Sequence, residues 1–192
     1  FWPSDNTDPI ERLFIQWGFS QVFPAKTMCA HVTTWNKNSS VKFRTDVAMM
    51  CKLGFDIKLA DMSKDDETYC RTAVQNYNRL KPVVLEGDMY RLVSPYGSNH
   101  TSTMYVGKDK DKAVVFAFDI HPRYAEKTLP VRLQGLDADK MYRVKEINLM
   151  PGANSSLSGN GEVFSGEFLM NVGLNLFTTQ QLNSRVIEVV AE

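Results

Sequence analysis

Cysteine, net charge and long apolar runs are what this sequence has least of. The three cysteines, Cys29, Cys51 and Cys70, are odd in number and share no metal-ligand spacing. That argues against a disulfide framework or a zinc site and leaves buried free thiols. Lys and Arg number 22 against 22 Asp and Glu, and no basic run is interleaved with aromatics. Nucleic acid and anionic membrane are therefore poor partners, and an uncharged partner fits better. No apolar run approaches the roughly 20 residues of a membrane span, and no charged leader with an apolar core opens the chain. As written, the sequence reads as soluble. No repeat period shows, and the first residue is not methionine. Because the chain opens directly in a strand-like segment, we read Phe1 as a cut edge and the chain as a C-terminal fragment.

What is present is enough for a core. The 192 residues are 43% hydrophobic and 23% charged, which suits one large or two small domains and argues against disorder. The sequons at Asn38, Asn99 and Asn154 matter only in a host that glycosylates.

The chemistry is concentrated at the start, in Phe1-Trp2-Pro3-Ser4-Asp5-Asn6-Thr7-Asp8-Pro9-Ile10-Glu11. Asp8-Pro9-Ile10-Glu11 reads as a helix N-terminus, with Asp8 as N-cap, Pro9 at the first helical position and Glu11 closing a capping box. Asp5 precedes that helix and follows a short apolar stretch. It thus falls at the C-terminal end of a strand, where open α/β folds and β/α barrels hold catalytic groups. Of the two carboxylates, Asp5 is the one free for chemistry. Trp2 reads equally as a sugar-stacking ring or as a core aromatic.

Ile10, Leu13, Phe14 and Trp17 recur at helical spacing up to about Ser20. Met28 to Thr33 reads as a buried strand, and its His31 as a hydrogen-bonded core residue, outside the catalytic set. After a polar loop, Trp35 to Ser39, a second helix runs from about Ser40, with Phe43, Val47, Met50 and Cys51 on one face and Leu53-Gly54 ending it. Phe55 to Leu59 alternates as a strand. A third helix is capped by Ser63, carries Asp66 at N3, and has Tyr69, Ala73, Tyr77 and Leu80 as its stripe up to Pro82. The order strand, helix, three times over, signals parallel βα units.

Past Gly87 the period changes from 3.6 residues to two. Tyr90 to Val93, Thr103 to Val106, Ala113 to Phe118, Leu129 to Leu133, Tyr142 to Ile147, Phe164 to Met170 and Val186 to Val190 are short β-rich runs. They suggest an antiparallel sandwich. Residues 107–111 read as a hairpin loop and 154–161 as a surface loop. The domain expectation is 1–85 for the βα units and 86–192 for the sandwich.

Several segments together resemble the C-terminal part of the bacterial α-galactosidases of glycoside hydrolase family 36. They are Trp2-Pro3-Ser4-Asp5-Asn6-Thr7-Asp8, Ile10-Glu11-Arg12-Leu13, Ile15-Gln16-Trp17-Gly18, Met28-Cys29-Ala30-His31-Val32, Arg44 with Val47-Ala48-Met49, and Gly87 with Tyr90-Arg91-Leu92. The resemblance runs nearly end to end and implies a β/α barrel followed by a β-sandwich, with residues 1–85 as barrel units six to eight. It implies the acid/base role for Asp5 and a sugar-contacting role for Trp2. The nucleophile and most sugar-binding groups would lie before residue 1, so the fragment alone would be inactive. The resemblance implies a terminal α-galactoside of the raffinose or melibiose type as substrate, with no metal and no organic cofactor. It leaves open a homo-oligomer and a bacterial cytoplasmic or periplasmic location. At Cys29 the sequence departs from a position where the family more often has glycine. Two rival readings remain: a relative acting on N-acetylgalactosaminides or transferring galactose, and a noncatalytic carbohydrate-binding sandwich, which would show exposed aromatics clustered on one sheet face.

Overall fold

The computed structural model describes residues 1–33, 35 and 38–192. Asn36 and Lys37, in the expected polar loop, lie outside the described residues. Helix α1 spans Pro9–Phe19 and starts as the sequence implies: the Asp8 carboxylate accepts from the backbone N–H groups of Ile10 and Glu11 at 2.9 and 3.0 Å. The capping box does not form. The Asp8 N–H donates instead to the Asn6 side chain at 2.9 Å, an Asx-type turn that occupies the donor Glu11 would have needed.

Strand β1 (Cys29–Thr33) and strand β2 (Lys52–Asp56) pair in parallel, with helix α2 (Val41–Ala48) as their crossover. The strand expected before α1 is reduced to Phe1, whose N–H₃⁺ donates to the Thr27 carbonyl and whose own carbonyl accepts from the Cys29 N–H. Pro3 removes a donor and limits further pairing. Leu53-Gly54, read as a helix stop, lies inside β2. Gly54 faces His31 in the register, and a Cβ built on it would lie 3.6 Å from the His31 Cβ. Helix α3 runs from Lys64 to Glu86, through Pro82 rather than up to it. Pro82 and Asn78, whose carbonyl loses its partner there, are both exposed, so water replaces the missing bond.

From Asp88 the chain forms one six-stranded antiparallel sheet. Its strands are β3 (Asp88–Val93), β4 (His100–Val106), β5 (Lys112–Asp119), β6 (Met141–Ile147), β7 (Val163–Ser165) and β8 (Asn183–Ala191), in the order β3-β4-β5-β8-β6-β7. The second layer of the expected sandwich is mostly irregular chain. Leu129 to Leu133 contributes a single bridge, Val131 to Leu174, and Phe164 to Met170 divides into β7 and the short helix α4 (Gly166–Asn171).

Both sheet faces are covered. On β5, Val114, Phe116 and Phe118 pack with Phe43 of α2 and Tyr69, Leu80 and Val84 of α3. The alternate residues Ala113, Val115 and Ala117 pack under Val131, Leu133, Leu169 and Leu176. The βα units and the sheet thus share one core, and the alternation of period two decides which residue joins which side. Gly87 stands at the junction, where a Cβ would fall 2.5 Å from the Val106 carbonyl oxygen; only a glycine lets the end of α3 approach β4 so closely. No exposed aromatic cluster lies on a sheet face among the described residues: Tyr96 and Tyr124 are exposed, but in loops. No described helix is long and apolar enough to cross a membrane.

Candidate active site

The segment between Phe1 and Pro9 follows β1 from its start towards its end, where Thr7 lines a small cavity with Thr33. Its first bonds tie Phe1 to the start of β1, and Trp2 then lies over His31 with ring centroids 4.0 Å apart. Trp2 as a residue remains 46% exposed, so part of its surface is open to a ligand. Ser4 turns the chain by accepting the Asn6 N–H on its hydroxyl at 3.1 Å.

The two carboxylates differ in the way the local sequence implies. Asp8 is half-buried and committed to two helix N–H groups. Asp5 is exposed, and its carboxylate has no hydrogen-bond partner among the described residues. It lies within electrostatic reach of Arg12 and His31.

Two residues that sequence reasoning missed stand behind this segment. His31 is not a satisfied core residue: its Nδ1 is buried without a hydrogen-bond partner. Burial lowers the His31 pKa, with Arg12 acting the same way and Asp56 and Asp5 opposing. The imidazole is thereby held neutral. Arg12 faces inward from α1, since the buried residues of that helix are Pro9, Arg12, Leu13 and Gln16, while Ile10, Phe14 and Trp17 are only half-buried. The signal was available, because positions 9, 12, 13 and 16 follow helical spacing, but two of them are polar. Gln16 uses its position to donate to the Val47 carbonyl at 3.3 Å and to accept from Cys51 Sγ at 3.0 Å, holding α1 to α2 and to the base of β2.

Cys51 is buried, and desolvation pushes its thiol up to about 12. Cys70 is buried too, and Cys29 is half-buried; all three are free thiols. Among the described residues no group of three or more His, Cys, Asp or Glu could hold a metal ion. The arrangement offers one unpartnered carboxylate, with one half-open indole lying over a neutral imidazole on β1. Chemically, such a carboxylate can exchange a proton and such an indole can support an uncharged ring.

Comparison with known proteins gives a consistent result. Residues 1–87 match the model of the melibiase family, and residues 100–189 match that of the glycosyl hydrolase family 36 C-terminal domain. The α-galactosidase 2 of Hypocrea jecorina is 34% identical over 97% of this chain and 24% of its own length. The GH36 α-galactosidase AgaB from Geobacillus stearothermophilus superposes with a TM-score of 0.85 at 28% identity, over 99% of this chain and 25% of that one. A variant of the AgaA enzyme from the same organism, solved in complex with raffinose, gives a TM-score of 0.83 at 28% identity, over 98% of this chain and 25% of its own. This chain therefore spans about a quarter of the length of the relatives it matches. These relatives are both fungal and bacterial, so the likeness is broader than the bacterial one expected from the sequence.

Proposed function

The chain belongs to glycosyl hydrolase family 36, as the end of its melibiase region joined to its C-terminal domain, and from that premise we propose that it carries the acid/base half of a retaining α-galactosidase site. Asp5 is the general acid/base and Trp2 a wall against which the galactosyl ring packs. In the first step a nucleophilic carboxylate from outside these 192 residues attacks the anomeric carbon while Asp5 protonates the departing glycosidic oxygen. In the second step Asp5, now a carboxylate, takes a proton from the water that releases galactose. Retention requires the two carboxyl groups about 5 to 5.5 Å apart.

The observation that carries this reading is the division of labour within one short segment. Asp8 is spent on the α1 N-terminus, whereas Asp5, three residues earlier, stays exposed and unpartnered among the described residues. A terminal galactoside as substrate draws support from the family and from the relative solved with raffinose. Residues 1–85 form the closing part of the catalytic barrel in this reading, and 86–192 the supporting domain. The 192-residue chain alone turns over no aryl α-galactoside.

The test is Asp5→Asn in the full-length protein. General acid catalysis contributes typically ~10² to 10⁴, so kcat/KM for raffinose should fall by that order. For a dinitrophenyl α-galactoside, whose leaving group needs little protonation, it should fall far less. Equal losses on both substrates would remove Asp5 from the acid role.

A further inference from the structure

Arg12 is an expensive residue where it stands. It is 3% exposed, on the inner face of α1. Its Nη2 donates to the carbonyl of Ser4, the residue immediately before Asp5, at 2.6 Å, and its guanidinium carbon lies 5.7 Å from the Trp2 ring centroid. Its Nε and Nη1 are buried without a partner among the described residues. A guanidinium has five N–H donors and is ordinarily paired when buried, because a buried donor left unmade is destabilising. The packing of α1 does not call for a cation here either, since an unbranched apolar side chain would fill the same space.

We propose that Arg12 is a positioning residue for Asp5: its bond to Ser4 and its stack on Trp2 fix the turn that carries the acid/base, and its charge stands behind the Asp5 carboxylate. The proposal rests on the reading of Asp5 as acid/base. A carboxyl displaced from the departing oxygen cannot hand over its proton, so a loosened turn costs the transfer itself. The charged and titratable groups facing this region are few. Asp5 and His31 lie in the site, Arg44 of α2 lines the same small cavity, Asp56 ends β2, and Cys51 closes the back. Burial lowers the Arg12 pKa, and Cys51 and Asp5 oppose that shift. Among them Asp5 is the carboxylate that supports the Arg12 charge. Unpartnered buried donors kept beside a reacting group are what a residue retained for catalysis at a cost in stability looks like.

The experiment uses the full-length enzyme with Arg12→Met, Arg12→Lys and, as the reference, Asp5→Asn. It records kcat/KM on raffinose and on a dinitrophenyl α-galactoside, together with the thermal midpoint. Arg12→Met should lower kcat/KM on raffinose by about tenfold or more and on the activated substrate far less, because a misplaced acid penalises only the leaving group that needs its proton. Its thermal midpoint should be no lower than that of the wild type, because the substitution removes donors that had no partner. Arg12→Lys keeps the charge but should show the same substrate-selective loss, because a compact ammonium cannot both reach the Ser4 carbonyl and cover the indole. An Arg12→Met protein that is less stable than the wild type, or whose losses on the two substrates are equal, overturns the proposal. If Asp5→Asn lacks the leaving-group dependence, the reading of Asp5 fails and takes this proposal with it. If Asp5→Asn shows that dependence while Arg12→Met does not, the role of Arg12 alone is refuted.

Discussion

Removing the Asp46 carboxylate should loosen the joint between the βα units and the sheet by an amount that can be worked from its contacts. Asp46 is fully buried on α2 and accepts four hydrogen bonds. They come from Lys42 Nζ at 2.5 Å, the Tyr69 hydroxyl of α3 at 2.9 Å, Asn148 Nδ2 after β6 at 2.9 Å and the Ser184 hydroxyl of β8 at 2.7 Å. Burial and the neighbouring Asp46 charge both hold the Tyr69 phenol neutral, so it serves as a donor throughout the accessible range. Asp46→Ala would leave the Ser184 hydroxyl without an acceptor, the Tyr69 hydroxyl with only the Lys42 carbonyl at 3.5 Å and Asn148 Nδ2 with only Met49 Sδ, and it would leave the Lys42 ammonium, on a side chain only 13% exposed, without its counter-charge. An orphaned buried donor costs about 1 to 3 kcal/mol, and breaking a buried pair by removing one partner costs about 3 to 5 kcal/mol. These overlap because the donors share one acceptor and relax together, so we expect about 4 kcal/mol in all. At 1.4 kcal/mol per tenfold that is nearly three powers of ten in the local opening constant.

Amide hydrogen exchange of α2 and β8 in the full-length protein reads that constant directly and does not require two-state unfolding of a large chain. The control is the double change Lys42→Met with Asp46→Leu. It removes the pair together and should cost less than Asp46→Ala alone, because no buried charge is left uncompensated. If Asp46→Ala changes protection of α2 and β8 by less than about tenfold, the carboxylate is not holding a desolvated joint.

Three further outcomes follow from the site and its surroundings. Asp8→Ala should cost about 1 kcal/mol, the usual size of a lost N-cap, seen as faster exchange in the first turn of α1 with only a modest loss of activity. His31 has a folded pKa lowered chiefly by burial and then by Arg12, so unfolding takes up a proton between that value and about 6.5. Its contribution to stability is complete above about pH 6.5 and is lost as the pH falls through the folded value. His31→Gln should flatten the acid side of the stability curve, and an unchanged curve would contradict the assignment. Cys51, buried with its thiol pushed up to about 12, should resist a disulfide reagent at pH 8 until denaturant is added. Labelling of Cys51 in the native protein would show that the α1, α2 and β2 packing opens.

What was legible in the sequence was mostly local. The start of α1 was readable because Asp8 and Pro9 act within one turn, and Ser63 marked α3 for the same reason. The failures came where a distant partner decides. Leu53-Gly54 resembles a helix stop, yet it is a strand because β1 lies alongside with His31 opposite Gly54. Phe164 to Met170 alternates too briefly to separate β7 from α4, and the Ser165 hydroxyl that caps α4 through the Phe168 N–H is what divides them. The insertion of β8 between β5 and β6 joins residues far apart in the chain and has no local mark. In the site, the capping job of Asp8 was readable from type and position, and with it the freedom of Asp5. Arg12 was not, because an arginine in an amphipathic helix ordinarily reads as surface, and only the observed orientation of α1 puts it inside.

The most direct test of the claim that Asp5 is the acid/base uses azide and the stereochemistry of what it makes. With Asp5→Asn in the full-length protein and an activated aryl α-galactoside, the first step still forms a β-linked galactosyl-enzyme, and the second stalls for want of a base. Azide needs no base, and it enters from the face that the aglycone left, the face served by residue 5. The account predicts that azide restores turnover and that the product is α-galactosyl azide. If Asp5 were the nucleophile, no intermediate would form and azide would displace the leaving group from the opposite face. Recovery of β-galactosyl azide would therefore contradict the account.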